Sequence, residues 1–261
     1  MKEHHAATLM PLYFSPLLLG LMAIFAAASY GDTLWPPNPA GLDLKEITHS
    51  TKAIESKDDI RSALQLPFYR QLRVSGRSRA LNNCAELLQL QGASEYFLEP
   101  ALTSDAGTLA DISTTCIAAD LNLKSQPSKR SHISEHPLDE DLIKHAPDTL
   151  GFYVNPEIEK PLAQRHGAVW ADANVIKNII QYDDNNTTLE LDEAKQNLIL
   201  VGRGDVNGDG IEDIILKLVD TLDPPATLFN TRLYVLTRLE ANGPYTILKA
   251  YDQFSPIARD R

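Results

Sequence analysis

The sequence predicts an α+β protein: a helical, disulfide-linked N-terminal region followed by a small antiparallel β-meander that carries a calcium loop. Three observations predict it. Residues 78–91 and 105–121 repeat apolar side chains at helical spacing, and each stretch holds one of the two cysteines of the chain. From residue 151 onward the pattern changes to short β-branched runs separated by turn residues. Between two of those runs lies Gly204-Asp205-Val206-Asn207-Gly208-Asp209-Gly210-Ile211-Glu212-Asp213, with oxygen side chains at Asp205, Asn207, Asp209 and Asp213.

The chain opens on an address. Lys2 supplies a weak positive region, residues 9–28 are almost wholly apolar, and Ala26-Ala27-Ala28 offers a small-residue cleavage site before Ser29. Residues 1–28 therefore read as a secretory signal peptide. The alternative is a retained anchor, since the run is about long enough to span a bilayer. Pro11 and Pro16 interrupt the run and its small-residue end favours cleavage. No second apolar span follows, so no stable membrane span is expected after cleavage. The expected location is the periplasm or the exterior.

Composition fits an exported globular chain. Charged residues make up 23% and hydrophobic residues 43% of 261 residues. A formal net charge of −11 argues against nucleic acid as a partner, because phosphate binding needs Lys/Arg patches.

Residues 29–56, with Trp35-Pro36-Pro37-Asn38-Pro39, read as a poorly ordered lead-in. A helical region over 57–123 follows. Ser56 caps a short helix, Asp59 stands three residues later, and Pro67 stops it. In the next helix Leu81, Cys84, Leu87 and Leu88 share one face, and Gly92 ends it. In the third, Leu109, Ile112, Cys116 and Ala119 do so. Cys84 and Cys116 thus lie on apolar faces of neighbouring helices, and in an oxidising compartment an even pair reads as a disulfide. Two buried free thiols are the alternative.

Residues 124–150 are polar, with Pro127, Pro137 and Pro147, and read as a linker with a short helix over 139–145. His132 and His136 are spaced as a metal pair only if helical, and Pro137 opposes that. Residues 151–261 form the expected β-rich domain. Residues 176–182 suit a strand or a short helix, and 183–186 a turn. Strands are expected over 187–192, 197–203, 213–219, 231–239 and 245–251. The sequons at Asn185 and Asn186 need no more than a polar hairpin turn.

The loop carries the chemistry. Its oxygens stand at positions 1, 3, 5 and 9 of a calcium loop, and Gly210 at position 6 allows the sharp turn. An EF-hand needs Glu at position 12, where this chain has Leu216. The competing reading is an acidic turn between two strands with no metal. With Asp205, Asn207, Asp209, Gly210 and Asp213 opening the run Ile214-Ile215-Leu216, the stretch resembles the single calcium loop of FG-GAP and VCBS-type (dockerin-like) repeats of exported bacterial proteins. The resemblance implies that the aspartates and the Asn hold Ca²⁺, with the Ile211 carbonyl as a further ligand. Only one copy is present, against a propeller.

Arg203-Gly204-Asp205 also spells an adhesion tripeptide, which requires Asp205 to face solvent. No nucleophile elbow, zinc motif or P-loop occurs. Asp183 and Asp184 are adjacent and point opposite ways in a strand, which is poor for acid–base work. The expected function is an exported, calcium-stabilised, non-enzymatic binding or interaction protein whose partner is an unidentified protein or envelope component. The alternative is a periplasmic hydrolase with the loop as support, which a deep pocket holding His166, Trp170 or Tyr residues beside a carboxylate would favour; no catalytic residues are assigned.

Overall fold

A central six-stranded antiparallel sheet has its strands in simple meander order, each beside the next in sequence. The structure is a computed structural model, and it describes residues 41–45, 47–48, 53–94, 97–152, 168–224 and 228–251. The expected signal peptide, most of the lead-in and His166 lie outside these residues. The strands are β1 (Asn178–Asp183), β2 (Asn186–Glu190), β3 (Ala194–Gly204), β4 (Asp213–Leu222), β5 (Phe229–Arg238) and β6 (Tyr245–Tyr251). Residues 178–183 therefore form a strand, and the 183–186 stretch makes the β1–β2 turn.

Helices cover both faces. They are α1 (Lys57–Ala63), α2 (Cys84–Gln91), α3 (Ala106–Lys124), α4 (Glu140–His145) and α5 (Trp170–Ala173). Leu109, Ile112, Cys116 and Ala119 of α3 share one core with Val201, Ile215, Leu233 and Val235 of the sheet. On the opposite face Leu142 and Ile143 of α4 and Trp170 of α5 share a second core with Leu198, Ile214, Leu216, Leu218, Tyr234 and Leu236. The period-2 alternation of a strand sends Ile215 to one core and Ile214 and Leu216 to the other. Both sides being covered, β4 can hold an unbroken apolar run, as doubly buried strands do. Among the described residues no helix is long and apolar enough to cross a membrane.

Three expectations are corrected. The described part of the lead-in is packed rather than poorly ordered, with Leu42, Leu44 and Ile47 buried in the first core. The second helix begins at Cys84, six residues later than its apolar pattern suggests. Leu81 instead pairs with Leu72, donating its N–H to the Leu72 carbonyl at 2.7 Å. Asn83 then caps the helix, accepting the Glu86 N–H at 2.9 Å. The stretch 124–150, expected to link two domains, packs onto the sheet. Ile133, Leu138, Leu142, Ile143 and Ala146 enter the second core. The helical region and the sheet accordingly belong to one compact unit. Cys84 and Cys116 form a disulfide with a Cα–Cα distance of 5.2 Å, joining α2 to α3.

Close approach fixes α3 on the sheet. The Asn122 amide donates to the Val201 carbonyl at 2.9 Å. Beside it Gly202 has no side chain, and a Cβ there would fall 2.3 Å from Asn122 Oδ1. Further along, Lys217 of β4 is buried and paired with Asp111 of α3 at 2.7 Å.

Candidate metal centre

β3 ends at Gly204 and β4 begins at Asp213, so the sheet holds the two ends of the acidic loop in register, with Gly204 opposite Asp213. Inside the loop Gly208 (φ 86°) and Gly210 (φ 82°) take left-handed conformations that side chains resist. These two residues fold the chain back over Asp205. The Asp205 carboxylate accepts N–H bonds from Gly208 (2.6 Å) and Asp209 (3.2 Å) at Oδ1, and from Gly210 (2.8 Å) at Oδ2. Asp209 Oδ1 accepts the Ile211 N–H at 2.7 Å, and its Oδ2 accepts the Asn207 amide at 2.8 Å. Asn207 Oδ1 in turn accepts the Asp209 N–H at 3.0 Å.

Among the described residues, no three His, Cys, Asp or Glu side chains are already gathered as a ligand set. A bare turn accounts for Asp205, whose charge is answered by three N–H groups. It does not account for Asp213. That carboxylate is fully buried. Its Oδ2 accepts the Val206 N–H at 2.9 Å, but Oδ1 has no hydrogen-bond partner. Burial pushes its pKa up to about 6, and the charges of Asp209 and Asp205 push the same way. Thr237, directly across on β5, is near enough to temper the rise, yet its hydroxyl is not in hydrogen-bond geometry. An unanswered carboxylate oxygen beside two further carboxylates fits a hard cation that takes oxygen ligands. The Ile211 carbonyl accepts no hydrogen bond from the described residues, whereas that of Gly210 accepts two, from Lys129 (2.8 Å) and Arg130 (3.1 Å).

Those two bonds belong to a strap that the sequence pattern does not reveal. Gln126 and Asp205 exchange both backbone bonds, at 2.8 and 2.9 Å. Glu212 donates its N–H to the Arg130 carbonyl at 2.8 Å. The buried Glu212 carboxylate pairs with Arg203 at 2.8 Å and accepts the Ser131 hydroxyl at 2.6 Å. Arg203 also donates to the carbonyls of Ser134 and Glu135. Arg203 and Asp205 are thus both committed inside the fold, with Asp205 only 4% exposed, and the adhesion tripeptide is not displayed. No local periodicity marks the strap, because it is held through main-chain atoms.

The other candidates are separated. His136 is exposed and contacts Asp184 at 3.1 Å, and His132 and His136 share no helix. Asp183 caps the β1–β2 turn through Asn185 and Asn186. Trp170 lies inside the second core, donating to Gln196 Oε1 at 3.1 Å. Gln196 donates to Asp220 at 2.8 Å, and Asp220 pairs with Arg232 at 2.8 Å. Burial holds Asp220 above the usual carboxylate range despite that guanidinium. Arg232 also donates to the carbonyls of Thr149, Leu150 and Gly151, pinning that turn to the sheet. This network ties segments together, with Trp170 buried in the second core. No family model, curated protein or solved structure matches the chain.

Proposed function

We propose that the 205–213 loop binds one Ca²⁺ and that the chain is an exported, calcium-stabilised binding or interaction protein rather than an enzyme. The carrying observation is the buried Asp213 Oδ1 without a partner, set beside Asp205 and Asp209. Asp205, Asn207, Asp209 and Asp213 would hold the ion, with the Ile211 carbonyl. The ion would supply the positive charge that the loop lacks and lock the β3–β4 connection. Its role is structural. The disulfide between Cys84 and Cys116 supports an oxidising compartment. The partner would be a protein or envelope component.

Extracellular calcium modules have Kd of roughly 10⁻⁴–10⁻³ M. At about a hundred times Kd, the ion adds roughly 2.7 kcal/mol. For a chain of this size that corresponds to a melting-temperature rise of about 5–10 °C. Thermal unfolding of the oxidised protein in EGTA and in Ca²⁺ at about a hundred times Kd, about 10–100 mM, tests it. The expected result is a rise that Asp209→Ala abolishes. Equal melting temperatures in both buffers would defeat the proposal.

A further inference from the structure

The strap beside the loop carries two exposed basic residues in succession, Lys129 and Arg130. A Lys or Arg in an accessible stretch is what trypsin-like proteases recognise, since their specificity pocket holds a carboxylate, and here two stand in succession. Such a protease must also draw its substrate into an extended, backbone-bonded form. Here the backbone is taken. The N–H groups of Lys129 and Arg130 are spent on the Gly210 carbonyl, and the Arg130 carbonyl on the Glu212 N–H. The bond between Arg130 and Ser131 reaches a protease only after the strap has left the loop.

Apolar packing adds little to these bonds. The buried hydroxyls of Ser125 and Ser128 have no hydrogen-bond partner. Between residues 125 and 135, only Ile133 enters a hydrophobic core. An element with few apolar anchors opens locally at low cost. What holds it is the 205–212 backbone together with the Arg203 and Glu212 side chains, and the shape of that backbone depends on how the loop's carboxylates are answered.

We infer that the Lys129–Arg130 strap is a proteolytic processing site for proteases selective for basic residues, guarded by the cation loop. The inference rests on the calcium reading above. Water adds across the Arg130–Ser131 peptide bond, leaving a carboxylate on Arg130 and an amine on Ser131. Both cysteines precede the cut, so the disulfide does not join the products. α1, α2 and α3 fall in one fragment and the entire sheet, with the loop, in the other. Loss of calcium would thereby license a nick between the helical layer and the sheet, with the first core still holding the two fragments together.

The test is limited trypsin digestion of the oxidised chain, with fragments assigned by mass. When opening is fast relative to cleavage, the rate follows the open population. Calcium at ten times its measured Kd should slow cleavage after Lys129 and Arg130 about tenfold relative to EGTA. Cleavage after Arg79, remote from the loop in sequence, serves as the internal control and should not change. Asp209→Asn should be cut at the EGTA rate in both buffers, and a Lys129→Gln/Arg130→Gln variant should lose these fragments. Equal rates in the two buffers, while calcium still raises the melting temperature, would overturn the guard and leave the metal site standing. Equal rates with no melting shift would remove the metal site, and the inference with it.

Discussion

Replacing Asp213 by Asn should change stability in opposite directions with and without calcium. The substitution keeps shape and an acceptor for the Val206 N–H but removes the buried charge. In the cation-free protein the folded-state pKa of about 6 stands roughly two units above an ordinary aspartate. A raised carboxylate pKa means that folding disfavours the charged form. The resulting cost is fully present above pH 6, shrinks as pH falls, and vanishes below the unfolded value near pH 4. At neutral pH it amounts to about 3 kcal/mol. Asp213→Asn should therefore stabilise the cation-free protein by about 2–3 kcal/mol at pH 7.5 and by little at pH 4. In saturating calcium the same change removes a charged ligand, so the variant should be the less stable protein. Urea unfolding in EGTA at both pH values, and in calcium at pH 7.5, reads all three cases. A variant that is destabilised equally in EGTA and in calcium would refute the reasoning.

Removing the disulfide with a Cys84→Ala/Cys116→Ala pair should cost about 3–4 kcal/mol, from a separation of 32 residues, read as a lower urea midpoint. Gly202→Ala should cost about 1–3 kcal/mol, because its Cβ would meet Asn122; adding Asn122→Ala should recover part of that loss in a double-mutant cycle. Tyr245 is buried against Arg238, and burial pushes its pKa up to about 12. Its contribution is intact below pH 10 and is lost as pH rises toward 12, up to about 2.7 kcal/mol; Tyr245→Phe should flatten alkaline unfolding over that interval.

The legible parts of this chain are those whose cause is local. The 3.6-residue spacing of Leu109, Ile112, Cys116 and Ala119 predicts α3, and these residues do face a core. Alternation along 231–238 predicts β5, and Leu233 and Tyr234 enter opposite cores. The loop is visible because its oxygens and Gly210 are set by spacing within nine residues. The second helical layer was obscured, since the polar 124–150 stretch spreads its apolar anchors thinly between Ile133 and Ala146. One clue was present: the unbroken run from Ile214 to Leu216 suits a strand covered on both faces. The Asp220–Arg232 pair and the strap escape sequence reading for another reason. Their partners lie 12 to about 80 residues away, and a buried charge looks like any polar strand residue until its partner is placed.

The direct measurement of the central claim is a calcium titration followed by ¹H–¹⁵N spectra of the oxidised protein. The Gly208, Gly210 and Ile211 amides report on the loop carboxylates that they contact. The account predicts saturable shifts at these amides, one ion per chain, with Kd of roughly 10⁻⁴–10⁻³ M and loss of the response in Asp209→Ala. Loop amides that stay fixed through about 10 mM calcium, well above that range, would contradict it and leave the stretch a turn capped by Asp205.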